Sequence, residues 1–71
     1  MGIKMSVYRC SLRSKEGKPI GVRSVAADTD DAARQIALTM LRDNPDIQTL
    51  DAWDGPDSAF RLTRYDLLSV H

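Results

Sequence analysis

The sequence predicts an α+β domain in which four antiparallel strands, in the order ββαββ, carry a single helix on one face. Residues 6–14 and 59–65 alternate between apolar and polar side chains, which is typical of half-buried strands. Between residues 30 and 43 the apolar residues instead recur every three or four positions, as on one face of a helix. Connections of hairpin length at both ends favour an antiparallel sheet with the helix packed against it.

Two strands are predicted ahead of the helix. In the first, Tyr8, Cys10 and Leu12 point to one side, and the polar residues between them point to the other. A polar segment containing Gly and Pro connects this strand to the second, over 20–27. The apolar residues of the second strand change parity midway, which indicates a bulge near residues 23–24.

The helix has clear start and stop signals. Asp28 and Thr29 are good N-cap residues, and two further aspartates place negative charge in the first turn. Asn44 and Pro45 end the helix, because the residue before a proline is disfavoured in the α conformation. The predicted buried face consists of the apolar residues at helical spacing: Ala32, Ala33, Ile36, Ala37, Met40 and Leu41. Leu38 lies well off this face at about 100° per residue, so we expect it to be exposed.

Two more strands are predicted after the helix. The third covers 47–53, and a cluster of turn residues over 54–58 separates it from the fourth. In the fourth strand, over 59–65, Phe60 and Leu62 share one side. The tail that follows either extends the fourth strand or leaves the sheet.

The size and composition of the chain limit what kind of protein it is. Its 71 residues, 42% of them hydrophobic, suffice for one small domain, which we place over 6–66. Residues 1–5 are expected to be a flexible N-terminus or an added extension, and residues 67–71 a C-terminal tail. No apolar stretch matches a membrane span or a signal peptide, so we expect a cytoplasmic protein. So small a domain is marginally stable alone, which favours self-association.

Charge is balanced in total but unevenly distributed. Ten basic and ten acidic side chains give a formal net charge of zero, whereas dedicated nucleic-acid-binding proteins usually carry an excess of Lys and Arg. Residues 1–25 contain six basic side chains and one acidic one, and residues 26–57 contain two basic and eight acidic ones. This segregation leaves room for a local basic surface.

The sheet face opposite the helix is the candidate binding surface, because one helix covers only one face of a sheet. This face is predicted to carry three arginines and two aromatic residues, with polar residues between them: Arg9, Arg13, Arg61, Trp53 and Tyr65, with Thr49, Asp51 and Thr63. Arginine and aromatic residues are enriched at protein interfaces. A solvated face with Arg–Asp pairs across neighbouring strands is the alternative interpretation.

Three kinds of partner fit this surface. A second copy of the chain could bind through the sheet face or an edge strand, and an exposed Leu38 together with the apolar tail favours such a homodimer. Another protein could bind the same face. Single-stranded nucleic acid could stack on Trp53 and Tyr65 while arginines contact phosphates. We expect a non-enzymatic protein–protein interaction module that forms a homodimer, with single-stranded nucleic-acid binding as the alternative.

The sequence lacks the residues that most catalytic sites need. Its single His is the final residue, His71, so a triad based on histidine has no anchor. Cys10 shares the parity of the core, and free cysteines are usually buried. Helix capping explains the acidic cluster at 28–31 better than calcium binding does, since a Ca²⁺ loop needs more oxygen ligands at set spacings. We therefore expect no enzymatic activity, no cofactor and no metal ion.

Several short motifs extend over most of residues 7–64. They are a Tyr-Arg strand opening, a Gly in the first hairpin, an acidic pair ahead of an Ala-rich helix, and a strand ending in Trp that is followed by an Arg-bearing strand. The matching positions are Tyr8-Arg9, Gly17, Asp30-Asp31 with Ala32 and Ala33, Leu50 to Trp53 with Gly55, and Arg61. In these motifs the chain resembles short uncharacterised proteins of alphaproteobacteria. The resemblance implies the ββαββ fold and a bacterial cytosolic origin, and it implies no particular activity.

Overall fold

The computed structural model describes residues 5–68. The elements are β1 (Ser6–Arg13), β2 (Pro19–Ala27), α1 (Asp30–Asp43), β3 (Thr49–Asp54), β4 (Asp57–Thr63) and α2 (Arg64–Leu68). The strands form one antiparallel sheet in the order β2-β1-β3-β4, which confirms the predicted α+β fold of ββαββ order. The chain leaves the sheet after β4 as a short second helix. The expectations for residues 1–4 and 69–71 lie outside the described residues.

Strand β1 is central to the sheet, because it pairs with β2 on one side and with β3 on the other. Tyr8, Cys10 and Leu12 are buried, as their alternation predicts. Cys10 and Leu12 lie opposite Ala52 and Leu50 of β3, both of which are fully buried. The core therefore lies between this face of the sheet and α1.

The predicted bulge in β2 is in the wrong place. Pairing is regular through residues 23–24, and the register shifts only at the end of β1, where Leu12 faces Gly21 and Arg13 faces Pro19. The apolar residues change parity because β2 contributes to both faces of the sheet. Its second half supplies core residues, whereas Val22 pairs with Ser11 on the face away from the core.

The hairpin between β3 and β4 is tighter than the predicted turn cluster. Asp54 pairs with Asp57, so only Gly55 and Pro56 form the turn. Gly55 has φ of 61°, a left-handed value that glycine adopts without strain. Glycine in the first position of a two-residue turn is typical of hairpins whose twist matches that of the strands.

Helix α1 begins and ends at the predicted signals. Oγ1 of Thr29, the N-cap residue, accepts a hydrogen bond of 3.1 Å from the backbone N–H of Ala32. Asn44 is the C-cap residue, and its side-chain amide donates to the carbonyl oxygen of Met40 at 2.8 Å. These bonds satisfy backbone groups that the helix itself leaves without partners.

The buried face of α1 is rotated from the predicted one. Leu38 is only 8% exposed, so the prediction that it is exposed is wrong, whereas Ile36 is 43% exposed although it was assigned to the core. The reason is α2, which packs beside α1 and places Leu67 against the core next to Leu38. An element absent from the prediction therefore covers the flank of α1 that was expected to face solvent.

Helix α2 is held in place by hydrogen bonds at its start and by an ion pair to α1. Oδ2 of Asp66 accepts from the backbone N–H of Thr63 at 2.7 Å, and Oγ1 of Thr63 accepts from the N–H of Tyr65 at 3.3 Å. This reciprocal arrangement is a capping box. Asp66 also pairs with Arg34 of α1 at 3.6 Å. Within residues 5–68, neither helix is long and apolar enough to cross a membrane.

Candidate functional site

The sheet face opposite α1 is here called the open face. It consists of alternate residues of each strand: Val7 to Arg13 in β1, Val22 and Ser24 in β2, Thr49 to Trp53 in β3, and Ser58, Arg61 and Thr63 in β4. Both helices pack on the other side of the sheet, so no element within residues 5–68 covers this one. The strand register thus determines which side chains are neighbours on the open face.

The centre of the open face combines a cation with an indole. Arg9 of β1 lies directly opposite Trp53 of β3, so their Cβ atoms are about 5 Å apart, as for any cross-strand pair. Trp53 is 36% exposed. Among residues 5–68, Arg9 has no ion pair and no side-chain hydrogen bond. An arginine without an internal side-chain partner is therefore the cross-strand neighbour of an accessible tryptophan.

A second arginine of the open face has an acidic partner. Nε of Arg61 in β4 donates to Oδ1 of Asp51 in β3 at 2.6 Å, across the register that pairs the two residues. This bond and the charge of the Asp51 carboxylate raise the pKa of Arg61, so the guanidinium remains protonated. Asp51 is largely covered, whereas the side chain of Arg61 is mostly exposed. The pair thus presents arginine to solvent.

Arg13 lies at one end of the open face. Its guanidinium Nη1 donates to the carbonyl oxygen of Gly17 at 3.3 Å, so it extends towards the first hairpin. Its own carbonyl accepts from the N–H of Gln48 at 2.8 Å, which fixes the backbone at this end of the sheet. Arg13 therefore contributes positive charge to the rim of the open face.

Two predicted site residues lie elsewhere. The alternating pattern predicts Tyr65 in the fourth strand, but the residue lies in α2 and is 75% exposed. The strand pattern ends at Thr63 because the capping box described above turns the chain into a helix. Leu38 lies in α1 on the other side of the sheet and is 8% exposed, next to α2. The structure thus brings Arg9, Trp53 and Arg61 together on the open face, and leaves Tyr65 and Leu38 off it.

Sequence reasoning missed the apolar part of this surface. Val7 and Val22 lie on the open face, and both are more than half exposed. The signal was available, because placing Val25 opposite Tyr8 in the core puts Val22 on the other side of the sheet. The open face therefore exposes two valines, one on each side of the Arg9–Ser24 pair, in addition to its arginines.

Neither Cys10 nor the acidic residues form a reactive centre. Cys10 is fully buried, as predicted, and burial raises the pKa of its thiol, which disfavours the nucleophilic thiolate. Within residues 5–68, no three side chains of the metal-binding types are grouped to hold an ion. The open face presents arginines, an indole and aliphatic side chains to solvent.

No family model matches the chain, and no curated protein or solved structure is significantly similar to it. The resemblance to short alphaproteobacterial proteins stays a prediction. Function is therefore inferred from the geometry of the open face.

Proposed function

We propose that the protein is a non-enzymatic interaction module that binds an acidic surface of another protein through its open face, and that it does so as a homodimer. The observation that carries the proposal is the position of Arg9 directly opposite Trp53, on the two central strands of an uncovered sheet face. Arg and Trp are the residue types that contribute most to binding energy when they lie near the centre of an interface.

The charge of the open face favours an acidic partner. Three arginines, Arg9, Arg13 and Arg61, lie on it, and Asp51 is the acidic residue among them. Because Asp51 is already paired with Arg61, the guanidinium of Arg9 is left to bind an external carboxylate. Arginine suits this role, since its planar fork binds a carboxylate through two parallel hydrogen bonds.

The size of the chain supports the dimer. A chain of 71 residues with a single cysteine, and so without an internal disulfide, has a small core. Val22 on the edge strand β2 is 60% exposed and leaves additional apolar area in water. Association with a second copy removes such area from water and so stabilises both copies.

Site-directed photo-crosslinking in the native cells tests the proposal. A photoreactive residue at Ser58 lies on the open face opposite Trp53, and the same residue at Gln35 lies on the exposed side of α1 as the matched control. We expect an adduct with an acidic protein from position 58 and not from position 35. The adduct should disappear when Arg9→Glu and Arg61→Glu are combined, because both arginines then repel the partner.

Two outcomes would contradict the proposal. One is the absence of any adduct from position 58. The other is an identical adduct from positions 58 and 35, which would show contact without a preferred face.

Single-stranded nucleic acid is the second candidate, because an indole next to a guanidinium can stack on a base and bind a phosphate. The placement of Tyr65 in α2 removes one of the two stacking residues that this alternative needs. Titration of a labelled oligonucleotide at low salt separates the candidates. A rise in anisotropy at micromolar protein that Trp53→Ala abolishes would favour nucleic acid, and an unchanged anisotropy would exclude it.

A further inference from the structure

The two edge strands of the sheet are not equally protected against pairing with another chain. β2 and β4 are the edge strands, and each pairs with one neighbour among residues 5–68. β4 carries Asp57 and Arg61, has a register irregularity and continues directly into α2. β2 is longer, with nine residues; its proline and its register shift lie at its start, and Arg23 is its single charged residue. Unpaired N–H and C=O groups on a long edge strand favour pairing with another chain, and β2 has few of the features that prevent this.

A groove runs beside the same edge. Helix α1 leaves the first half of β2 uncovered, so Gly21 and Arg23 are exposed although they lie on the helix side of the sheet. The groove has a volume of about 1000 Å³ and lies between this half of β2, the first hairpin and the C-terminal end of α1. Leu12, Met40 and Ile47 are among its apolar lining residues.

Charged groups of both signs surround this groove. Arg23 lines it and has no ion pair among residues 5–68, and the charged residues Lys15, Glu16 and Asp46 also line it. A Cβ atom placed on Gly21 would meet nothing within 4 Å, so the space above this residue is open. The groove thus offers two basic residues, two acidic residues and free space next to an unpaired strand.

We propose that a second copy of the chain occupies this edge, with β2 pairing antiparallel to β2 of the second copy around a two-fold axis at Val22. In this register Val22 lies opposite Val22 of the second copy, and Gly21 lies opposite Arg23 of the second copy. Each Arg23 then enters the open space above Gly21 of the other copy, where Glu16 and Asp46 provide the opposite charge. The contact is self-complementary, as a two-fold interface requires.

This contact deepens the proposed function, because it rests on the homodimer proposed above and assigns it to one element. Pairing at the edge buries Val22, which is 60% exposed in the single chain, and joins the two sheets into one of eight strands. The two open faces then lie side by side and remain free. The dimer would therefore present two copies of the Arg9–Trp53 centre to one partner.

Light scattering of two matched variants tests the edge contact. Val22→Glu places two carboxylates opposite each other at the two-fold axis, so we expect the mass to fall from twice 7.9 kDa to 7.9 kDa. Val7→Glu introduces the same charge at a comparably exposed position of the central strand β1 and should leave the dimer intact. Circular dichroism of both variants checks that they remain folded.

Oxidative cross-linking and charge reversal add two independent readouts. Val22→Cys should form a disulfide-linked dimer under mild oxidation, because residues opposite each other at such an axis lie within disulfide distance. Val7→Cys should not, and the native Cys10 is buried. Arg23→Glu should weaken the dimer, and combining it with Glu16→Arg and Asp46→Arg should restore it.

The inference would be overturned by a monomeric mass for the unmodified protein at about 100 μM, a concentration at which a micromolar dimer is nearly complete. It would equally be overturned by a dimer that survives Val22→Glu and is lost in Trp53→Ala, since the open face would then form the dimer contact. Photo-crosslinking from position 58 tests partner binding at the open face separately. Failure of the edge contact and failure of the proposed binding face therefore give different results.

Discussion

The hydroxyl of Tyr8 in the central strand donates a hydrogen bond of 2.5 Å to Oδ1 of Asp30 in the first turn of α1. The ring of Tyr8 lies in the core, with its centroid 6.2 Å from that of Phe60. Asp30 in turn lies where the helix dipole favours negative charge. Two contacts of Tyr8 thus join β1 to β4 and to the start of α1, and the hydrogen bond ties the helix to the sheet.

This bond predicts a loss of stability at alkaline pH. The hydrogen bond to Asp30, together with burial and the nearby carboxylate charges, raises the pKa of Tyr8 to about 12 from the ordinary 10.0. Since the folded chain holds this proton more tightly than the unfolded chain, the contribution is complete below pH 10 and is lost as the pH rises through about 12. Urea unfolding between pH 9 and about 12 measures the loss.

The titration itself can be followed in Tyr65→Phe, which leaves Tyr8 as the single tyrosine of the chain. We expect tyrosinate absorbance to appear near pH 12, and Asp30→Asn to shift it towards pH 10. An unchanged midpoint in Asp30→Asn would show that the hydrogen bond does not determine the titration of Tyr8.

The packing of α2 against α1 predicts that two substitutions in α1 lower the free energy of unfolding by unequal amounts. Leu38→Ala empties a buried site next to Leu67 and should lower the free energy of unfolding by about 2–4 kcal/mol. Ile36→Ala removes a side chain that is nearly half exposed and should cost less than about 1 kcal/mol. Chemical denaturation of both variants measures the difference, and equal losses would argue against α2 covering Leu38.

The hydrogen bonds of Arg64 predict that a side chain from α2 stabilises the C-terminal end of α1. Its guanidinium donates to the carbonyl oxygens of Leu41 at 2.8 Å and Asn44 at 3.4 Å, and also to that of Ile47. Arg64→Ala should destabilise the fold by about 2 kcal/mol, since a charge-assisted hydrogen bond contributes about that much. Arg42→Ala is the control, because its side chain is mostly exposed. A thermal midpoint that changes equally in both variants would rule out this role of Arg64.

The position of Trp53 predicts that the chain folds without the indole side chain. Trp53→Ala should leave the chain folded and lower the free energy of unfolding by less than Leu50→Ala does, because the indole is 36% exposed on the open face. Leu50→Ala, on the buried side of the same strand, should cost about 2–5 kcal/mol. Unfolding of the Trp53→Ala protein under conditions in which the unmodified chain is folded would place the indole in the core instead.

The sequence is informative wherever one periodicity determines burial. Alternation in β1 places Tyr8, Cys10 and Leu12 in the core, and Thr29 and Asn44 mark the ends of α1, because these effects are local. The same alternation places Arg9 and Trp53 on the open face once β1 and β3 are paired. Most of the fold and the centre of the candidate site could therefore be predicted.

The remainder depends on contacts between distant residues. A five-residue helix such as α2 is too short to show a period, so Tyr65 was assigned to a strand. Without α2, nothing in the sequence indicates that Leu38 is covered. The position of the bulge in β2 depends on its pairing with Leu12 and Arg13, which the order of residues in β2 alone does not reveal.

The most direct test of the open face is the affinity of the partner identified by photo-crosslinking, measured by calorimetry. Combining Arg9→Glu with Arg61→Glu should weaken binding by at least about tenfold, equivalent to about 1.4 kcal/mol, and Arg42→Glu on α1 should have little effect. Equal dissociation constants for the unmodified protein and the Arg9→Glu, Arg61→Glu variant would contradict binding through this surface.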